Sequence, residues 1–128
     1  MNFVKGQTYE WKEILAGLNA VSGPVYYVLH YAGTNKVVAA CLRIDKNPRA
    51  PYEIIPKNGQ FIASWADTFC AQAEPVPVFV QELDGKWYYR GRFKVTSQSS
   101  DPNEIRLREQ QANRTNVYKI LFLQEAPE

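Results

Sequence analysis

The sequence contains few of the side chains from which most enzyme active sites are built. Its 128 residues include one histidine, His30, and two cysteines, Cys41 and Cys70, far apart in the chain. A Ser-His-Asp or Cys-His site would have to use His30, whose apolar and aromatic neighbours are typical of a structural histidine in a strand. The paired ligands of a zinc site are missing as well. We therefore expect a binding module and not an enzyme, with no catalytic residues, metal or cofactor.

Long apolar runs and glycine-rich loops are also lacking. No segment approaches the roughly 20 apolar residues that cross a bilayer, and the N-terminal MNFVKGQTYEW lacks the apolar run of a signal peptide. The seven glycines are scattered, and none opens a helix in a phosphate-loop pattern. We expect a cytoplasmic protein that does not associate with membranes and whose two cysteines are buried free thiols.

The charge of the chain is nearly balanced, but its cations are clustered. A formal charge of +2 does not by itself indicate nucleic-acid binding, so that function must rest on local clusters. The stretch KWYYRGRFKV, residues 86–95, reads as one strand with two different faces. One face would carry Lys86, Tyr88, Arg90, Arg92 and Lys94.

Such a row of cations could neutralise several phosphates, and Tyr88 could stack on a base or bond a phosphate. A plain solvated face is an equal alternative, because exposed strands often carry Lys and Arg to discourage edge pairing. Gly91 weakens the middle of a strand, which indicates a bulge or the close approach of a ligand backbone.

A second cluster surrounds the proline-rich stretch DKNPRAPYEIIPKNGQ, residues 45–60. The candidate nucleic-acid contacts here are Arg43, Lys46, Asn47 and Arg49. A stiff loop costs less entropy to immobilise on a ligand, and Asn can read a base edge while Tyr can stack on a base. The alternative is that the prolines only shape a long connection.

The periodicity predicts an α+β fold in a single domain, 1–128. We expect helices at 8–19, capped by Thr8, and at 61–73; strands at 25–31, 36–44, 76–83, 86–95 and 117–125; an extended piece at 52–55; a loop at 97–103; and a strand or charged helix at 104–114. Asp84-Gly85 predicts a two-residue hairpin loop. The expected architecture is a curled or barrel-like mixed sheet of five to seven strands with two flanking helices.

Three stretches of the chain resemble the small PUA-like barrels, in particular the SRA-like readers of modified bases that are fused to restriction endonucleases. They are FVKGQTYEWKEIL, VVAACLRIDKNPRAP and VPVFVQELDGKWYYRGRFKV, the last with a W-x-Y-x-G-x-[FY]-x-V spacing. The resemblance implies a twisted barrel that holds a modified base, flipped from the duplex, in an aromatic pocket. Tyr31, Tyr52 and Tyr88 would line the pocket or its rim, and Asp45 or Asn47 would bond the base edge.

The leading hypothesis is a non-enzymatic nucleic-acid-binding domain, for DNA more than RNA, with a role in phage defence or in RNA metabolism. Any cleavage would come from a nuclease partner or a longer parent protein. The nucleic-acid-binding hypothesis requires the cations after Asp84-Gly85 and the proline-rich loop to converge on one concave surface. The alternative is a protein-interaction module, such as a small phage or plasmid protein, that meets an acidic partner surface. A third is a small-molecule or enzymatic barrel that uses the face with His30.

Overall fold

A computed structural model describes residues 2–22, 28–30, 34 and 36–127 of the chain. Within these ranges the chain forms three helices, α1 (Trp11–Leu18), α2 (Gln60–Ala71) and α3 (Pro102–Ala112). It also forms eight strands: β1 (Thr8–Tyr9), β2 (Val21–Ser22), β3 (Val28–His30), β4 (Val37–Arg43), β5 (Glu53–Ile54), β6 (Val76–Gln81), β7 (Trp87–Ser99) and β8 (Ile120–Glu125).

The strands form one mixed sheet. Seven of them lie in the order β2-β3-β4-β6-β7-β8-β5, and β1 pairs with β7. Neighbouring strands are antiparallel except β4 and β6, which are parallel. The predicted α+β class and mixed sheet are confirmed. Among the described strands, β2 and β5 lie at the two ends of the sheet and do not pair with each other, so the sheet does not close into the barrel that the resemblance implied.

Apolar residues form three cores on the two faces of this sheet. The first core covers one face and includes Val28, Ala40, Leu42, Val78, Val80, Phe93, Leu121 and Leu123, with Ala66 and Phe69 of α2. The second core includes Leu29, Ala39, Cys41, Phe79 and Tyr89, with Ile14 of α1. The third core includes Ile55, Val117 and Ile120, with Ile105, Ala112 and Phe122 packed against it. We call the face of the first core the first face; the second and third cores share the opposite, second face.

Strand β4 is buried on both faces, as its nearly continuous apolar sequence predicted. Ala40 and Leu42 pack into the first core, while Ala39 and Cys41 pack into the second. Both cysteines are free thiols, as expected, with Cys41 buried and Cys70 half-buried. Burial raises the pKa of the Cys41 thiol far above its usual range. Within the described ranges, no helix has the length and apolar content to span a bilayer.

Helix α2 follows the predicted stripe at 61–73 to within two residues at each end. Ala66 and Phe69 are buried against the sheet, and the Trp65 ring stacks on the His30 imidazole with centroids 4.9 Å apart. Phe61 departs from the stripe, because its side chain is 58% exposed. The helix therefore covers the first face with its later turns.

Helix α1 begins three residues later than the sequence predicted. Thr8 does not cap it, because Thr8 and Tyr9 pair with Tyr88 and Trp87 as strand β1. Glu10 occupies the cap position instead, and its backbone N–H donates to Glu13 Oε1 at 2.9 Å. The pairing with β7 takes precedence over the local cap signal.

Helix α3 is a third helix, whereas the expected architecture had two and left residues 104–114 as either a strand or a charged helix. The predicted loop at 97–103 is wrong, because β7 continues to Ser99 and pairs there with Ile120 of β8. Asp101 then caps α3 through a 2.9 Å hydrogen bond that its side chain accepts from the N–H of Asn103, with Pro102 in the first turn. The variable segment is thus a helix, held on the sheet by Ile105 and Ala112.

The β6–β7 hairpin is confirmed, but its loop has three residues. The N–H of Glu82 donates to the carbonyl of Lys86 at 3.1 Å, which leaves Leu83, Asp84 and Gly85 in the loop. Gly85 has a φ of +81°, the left-handed conformation that this longer hairpin loop requires at its last residue.

Candidate functional site

A β-bulge interrupts β7 at Arg90 and Gly91. Val78 of β6 faces Gly91, but the next residue, Phe79, faces Tyr89, so Arg90 is the extra residue. Gly91 has a φ of +113°, and a Cβ atom at this position would lie 2.9 Å from Glu125 Oε2. The expectation that the mid-strand glycine marks a bulge is confirmed.

The bulge splits the predicted cationic row between the two faces of the sheet. Tyr88 lies opposite Val80, a residue of the first core. Beyond the bulge, Phe93 and Val95 contact the first core, so the alternating Arg92 and Lys94 point to the second face. The prediction that these side chains share one face is therefore wrong, since a regular alternation does not survive the extra residue.

The second face carries an open, cationic area between the second and third cores. We call it the basic strip and define it by two cross-strand pairs, Pro77 with Arg92 and Lys94 with Gln124. Lys94 and Gln124 are exposed, and Arg92 is half-buried with a 3.3 Å hydrogen bond to the carbonyl of Pro75. No described carboxylate lies within salt-bridge distance of Arg92 or Lys94.

Tyr88 belongs to the hairpin and not to the strip. Its hydroxyl donates to Asp84 Oδ2 at 2.7 Å, and Asp84 Oδ1 accepts the N–H of Lys86 at 2.9 Å. The hydrogen bond from Lys86 is the main cause that lowers the pKa of Asp84, and the bond to Asp84 raises the pKa of Tyr88. The phenol of Tyr88 therefore closes the hairpin.

The proline-rich loop places side chains on both faces: Ile54 packs in the first core and Ile55 in the third. Ala50 and Ile54 are buried in the first core, and the ring edge of Tyr52 packs on Phe93 with centroids 5.7 Å apart. Tyr52 remains 53% exposed. The loop therefore meets β7 beside Phe93, and the sheet separates Tyr52 from Arg92 and Lys94.

Asn47 has a structural position inside this loop. It is only 7% exposed, and its Oδ1 accepts the N–H of Ile55 at 3.0 Å while its Nδ2 donates to the carbonyl of Arg43 at 3.4 Å. Arg114 adds bonds of 2.8 and 2.7 Å to the carbonyls of Lys46 and Ile55. The side-chain amide of Asn47, which the sequence assigned to a base edge, is therefore engaged in hydrogen bonds within the protein.

The other predicted loop residues differ in how their charges are compensated. Arg43 makes a bidentate ion pair with Asp45, with Nε 3.1 Å from Oδ1 and Nη2 2.8 Å from Oδ2. Arg49 contacts Glu53 and Gln111, each at 3.2 Å. Lys46 is exposed and has no salt bridge to any carboxylate in the described ranges. Tyr31, the remaining pocket candidate, lies outside the described residues.

An ion pair that sequence reasoning missed joins the loop to α3. Arg108 Nε and Nη2 lie 2.9 and 3.3 Å from the two carboxylate oxygens of Glu53, and both side chains are largely buried. Burial raises the pKa of Glu53, but the hydrogen bonds from Arg108 and Arg49 outweigh it and leave a lowered pKa. A small hollow beside this pair is lined by Asn47, Pro48, Arg49, Glu53, Ile55, Arg108 and Gln111.

A second polar cluster ties α2 to the sheet. Lys119 is 6% exposed, and its Nζ donates to Asp67 Oδ1 at 2.7 Å and to Gln98 Oε1. Burial lowers the pKa of Lys119, but the bond to Asp67 and the neighbouring charges more than compensate and raise it. Tyr118 donates to the same carboxylate at 3.1 Å. The sequence signal for this buried pair was a lysine, Lys119, beside the apolar run ILFL.

The structure thus brings Arg92 and Lys94 together, and separately Tyr52 with Phe93. No hydrogen bond or ion pair among the described residues joins the predicted loop residues to the basic strip. No protein-family model, curated protein or solved structure matches this chain.

Proposed function

We propose that the protein binds nucleic acid without catalysing a reaction, and that Arg92 and Lys94 contact its phosphates. The observation that carries the proposal is the position of these two cations, side by side on one open sheet face with no described carboxylate in salt-bridge distance. An uncompensated arginine and lysine attract phosphate strongly, because each contact releases a condensed counterion. Arg90 is the extra residue of the bulge, two positions before Arg92 on the same strand.

The polar character of the strip also favours this function. Gln124 is exposed beside Lys94, and its amide can donate to or accept from a sugar or base. Arg92 is held by the carbonyl of Pro75, so its guanidinium loses less freedom when it meets a phosphate. A sheet face that presents fixed cations in this way is suited to contacts that depend on the backbone and not on sequence.

The more specific hypothesis is a PUA-like or SRA-like reader of a flipped, modified DNA base, acting in the cytoplasm in phage defence with a nuclease partner. Its support is the exposed ring of Tyr52, which is held against Phe93. It requires Tyr52 and the strand cations on one surface, whereas the sheet lies between them. The geometry therefore favours phosphate contacts at the basic strip over base reading by the loop.

Binding of labelled oligonucleotides at two salt concentrations tests the proposal. We expect the affinity of the wild-type protein to fall as salt rises, and the double variant Arg92→Ala/Lys94→Ala to bind more weakly. The matched control is Lys12→Ala/Lys57→Ala, which likewise removes two positive charges, both at exposed positions. Salt-independent binding, or equal losses in the two variants, would contradict the proposal.

A second candidate function is docking of a protein partner through the hairpin tip. Leu83 is 88% exposed there, on a loop fixed by the Asp84 bonds and by Gln81 Nε2, which donates to the carbonyl of Gly85 at 3.1 Å. A rigid, exposed leucine is suited to an apolar pocket on a partner. A pull-down after nuclease treatment tests this, with Leu83→Ser as the variant that should lose the captured protein.

A further inference from the structure

The side chains around the basic strip determine which form of nucleic acid it can bind best. Arg92 and Lys94 are two residues apart, about 7 Å, and the strip crosses from β6 to β8, about 10 Å. Its floor is therefore a small patch of sheet. The width of the space above this patch depends on the segments of the chain that rise above the sheet on either side.

One side of the strip is bounded by the N-terminal segment. Phe3 packs on Tyr89 with ring centroids 5.7 Å apart and on Phe79 at 4.9 Å. Tyr89 precedes Arg92 by three residues, so this boundary stands about 10 Å from the strip along β7. The segment is anchored by the pairing of the Gly6 N–H with the carbonyl of Tyr89 at 2.8 Å and by the ion pair of Lys5 with Glu125.

The other side is bounded by the third core and α3. Ser97 follows Lys94 by three residues and lies opposite Phe122, which packs against that core. A helix with its side chains is about 10–12 Å across, so α3 rises well above the sheet at this end. The strip is thus the floor of a short trough between Phe3 and α3.

We infer that the basic strip selects single-stranded nucleic acid over duplex, an inference that rests on the proposed function. A single strand can lie across the three strands between the two boundaries, with phosphates on Arg92 and Lys94. Gln124 can bond an unpaired base edge, and the partly exposed Phe122, two residues along β8 on the same face, offers a ring for stacking. A duplex keeps its base edges paired and its base faces stacked, so it can offer the strip only its phosphates and gains no contact with Gln124 or Phe122.

Fluorescence anisotropy with four probes tests this inference. The probes are a mixed-sequence 12-nucleotide DNA strand, the same sequence as RNA, the corresponding DNA duplex and poly-glutamate. We expect the single strands to bind roughly tenfold more tightly than the duplex. Arg92→Ala/Lys94→Ala should lower the salt slope of single-strand binding by about 1.4, because each phosphate that a cation neutralises accounts for ~0.7 of the slope. The comparison variant Lys46→Ala/Lys86→Ala, at the loop and hairpin, should leave the slope near the wild-type value.

The outcomes separate this inference from the proposed function. Duplex that binds as tightly as the single strand, with weaker binding in Arg92→Ala/Lys94→Ala, would overturn the single-strand selectivity and leave the nucleic-acid function standing. Weaker binding confined to Lys46→Ala/Lys86→Ala would overturn the assignment to the strip. Binding of poly-glutamate with none of the nucleic acids would overturn both and identify an acidic protein as the partner.

Discussion

Tyr89 and Phe93 lie four residues apart on β7, yet their rings pack into cores on opposite faces of the sheet. An uninterrupted strand would place both rings on one face, because residues an even number apart share a face. The bulge at Arg90 and Gly91 resets this alternation and turns Arg92 and Lys94 toward the second face. The location of the basic strip therefore depends on one glycine.

Replacement of Gly91 by alanine should lower the free energy of unfolding by about 1–3 kcal/mol, because an L-residue is strained at a φ of +113°. The new Cβ would also press on Glu125 Oε2 at 2.9 Å. Urea denaturation measures the decrease. Gly85→Ala is the control, since Gly85 has a φ of +81° with no atom within 4 Å of the added Cβ. We expect a smaller decrease there, and equal decreases would refute the role of the Glu125 contact.

Asn47→Ala should destabilise the protein by about 1–3 kcal/mol without weakening nucleic-acid binding. The change leaves the buried N–H of Ile55 without the acceptor that Asn47 Oδ1 supplies at 3.0 Å. Thermal unfolding and anisotropy on the same sample check both parts. The neighbouring Lys46→Ala should leave the melting temperature unchanged, because Lys46 is exposed. A stable Asn47→Ala protein that binds weakly would instead support base reading by Asn47.

Glu53→Gln should cost about 1–3 kcal/mol near neutral pH, because it leaves the largely buried Arg108 without a carboxylate. The pKa of Glu53 is lowered in the folded protein, so its contribution is fully present above the unfolded value of about 4.3. That contribution is lost as the pH falls through the lower folded pKa.

The difference in unfolding free energy between wild type and Glu53→Gln should therefore shrink from about pH 6 to about pH 3. Urea titrations at several pH values measure it. A difference that stays constant over this range would show that the carboxylate charge of Glu53 is not what stabilises the loop.

Tyr52→Ala should reduce stability by about 0.5–1.5 kcal/mol, the usual contribution of an edge-to-face aromatic pair, here with Phe93. It should not change the affinity for single strands, since the sheet lies between Tyr52 and the strip. Tyr52→Phe, which keeps the ring, is the matched control for stability. Reduced affinity of Tyr52→Ala for a duplex with a modified base would support the base-pocket hypothesis instead.

The elements of the fold could largely be predicted from sequence, because their signals are local. Apolar runs and helical stripes identify β4, α2 and β8 within a few residues of their observed ends. The cap of α1 could not be predicted, because the pairing of Thr8 with Tyr88 is a long-range contact. The same holds for the late end of β7, which depends on pairing with β8.

The candidate site was harder to predict than the fold. Gly91 indicated a bulge, but the sequence did not show that the bulge would send Arg92 to the opposite face from Tyr88. The sequence likewise did not reveal that Asn47 would accept the N–H of Ile55, or that Glu53 would meet Arg108, because each pair is brought together only by the folded chain. A cation pattern read on a straight strand therefore placed on one surface side chains that the bulge divides between the two faces.

Amide chemical-shift perturbation with a 12-nucleotide single strand maps the binding surface most directly. If nucleic acid lies on the basic strip, the largest shifts will occur at Arg92, Lys94, Ser97 and Gln124, with little change at Lys46, Asn47 and Tyr52. Shifts centred on the proline-rich loop and Tyr88, with the strip unaffected, would contradict the assignment of binding to the strip.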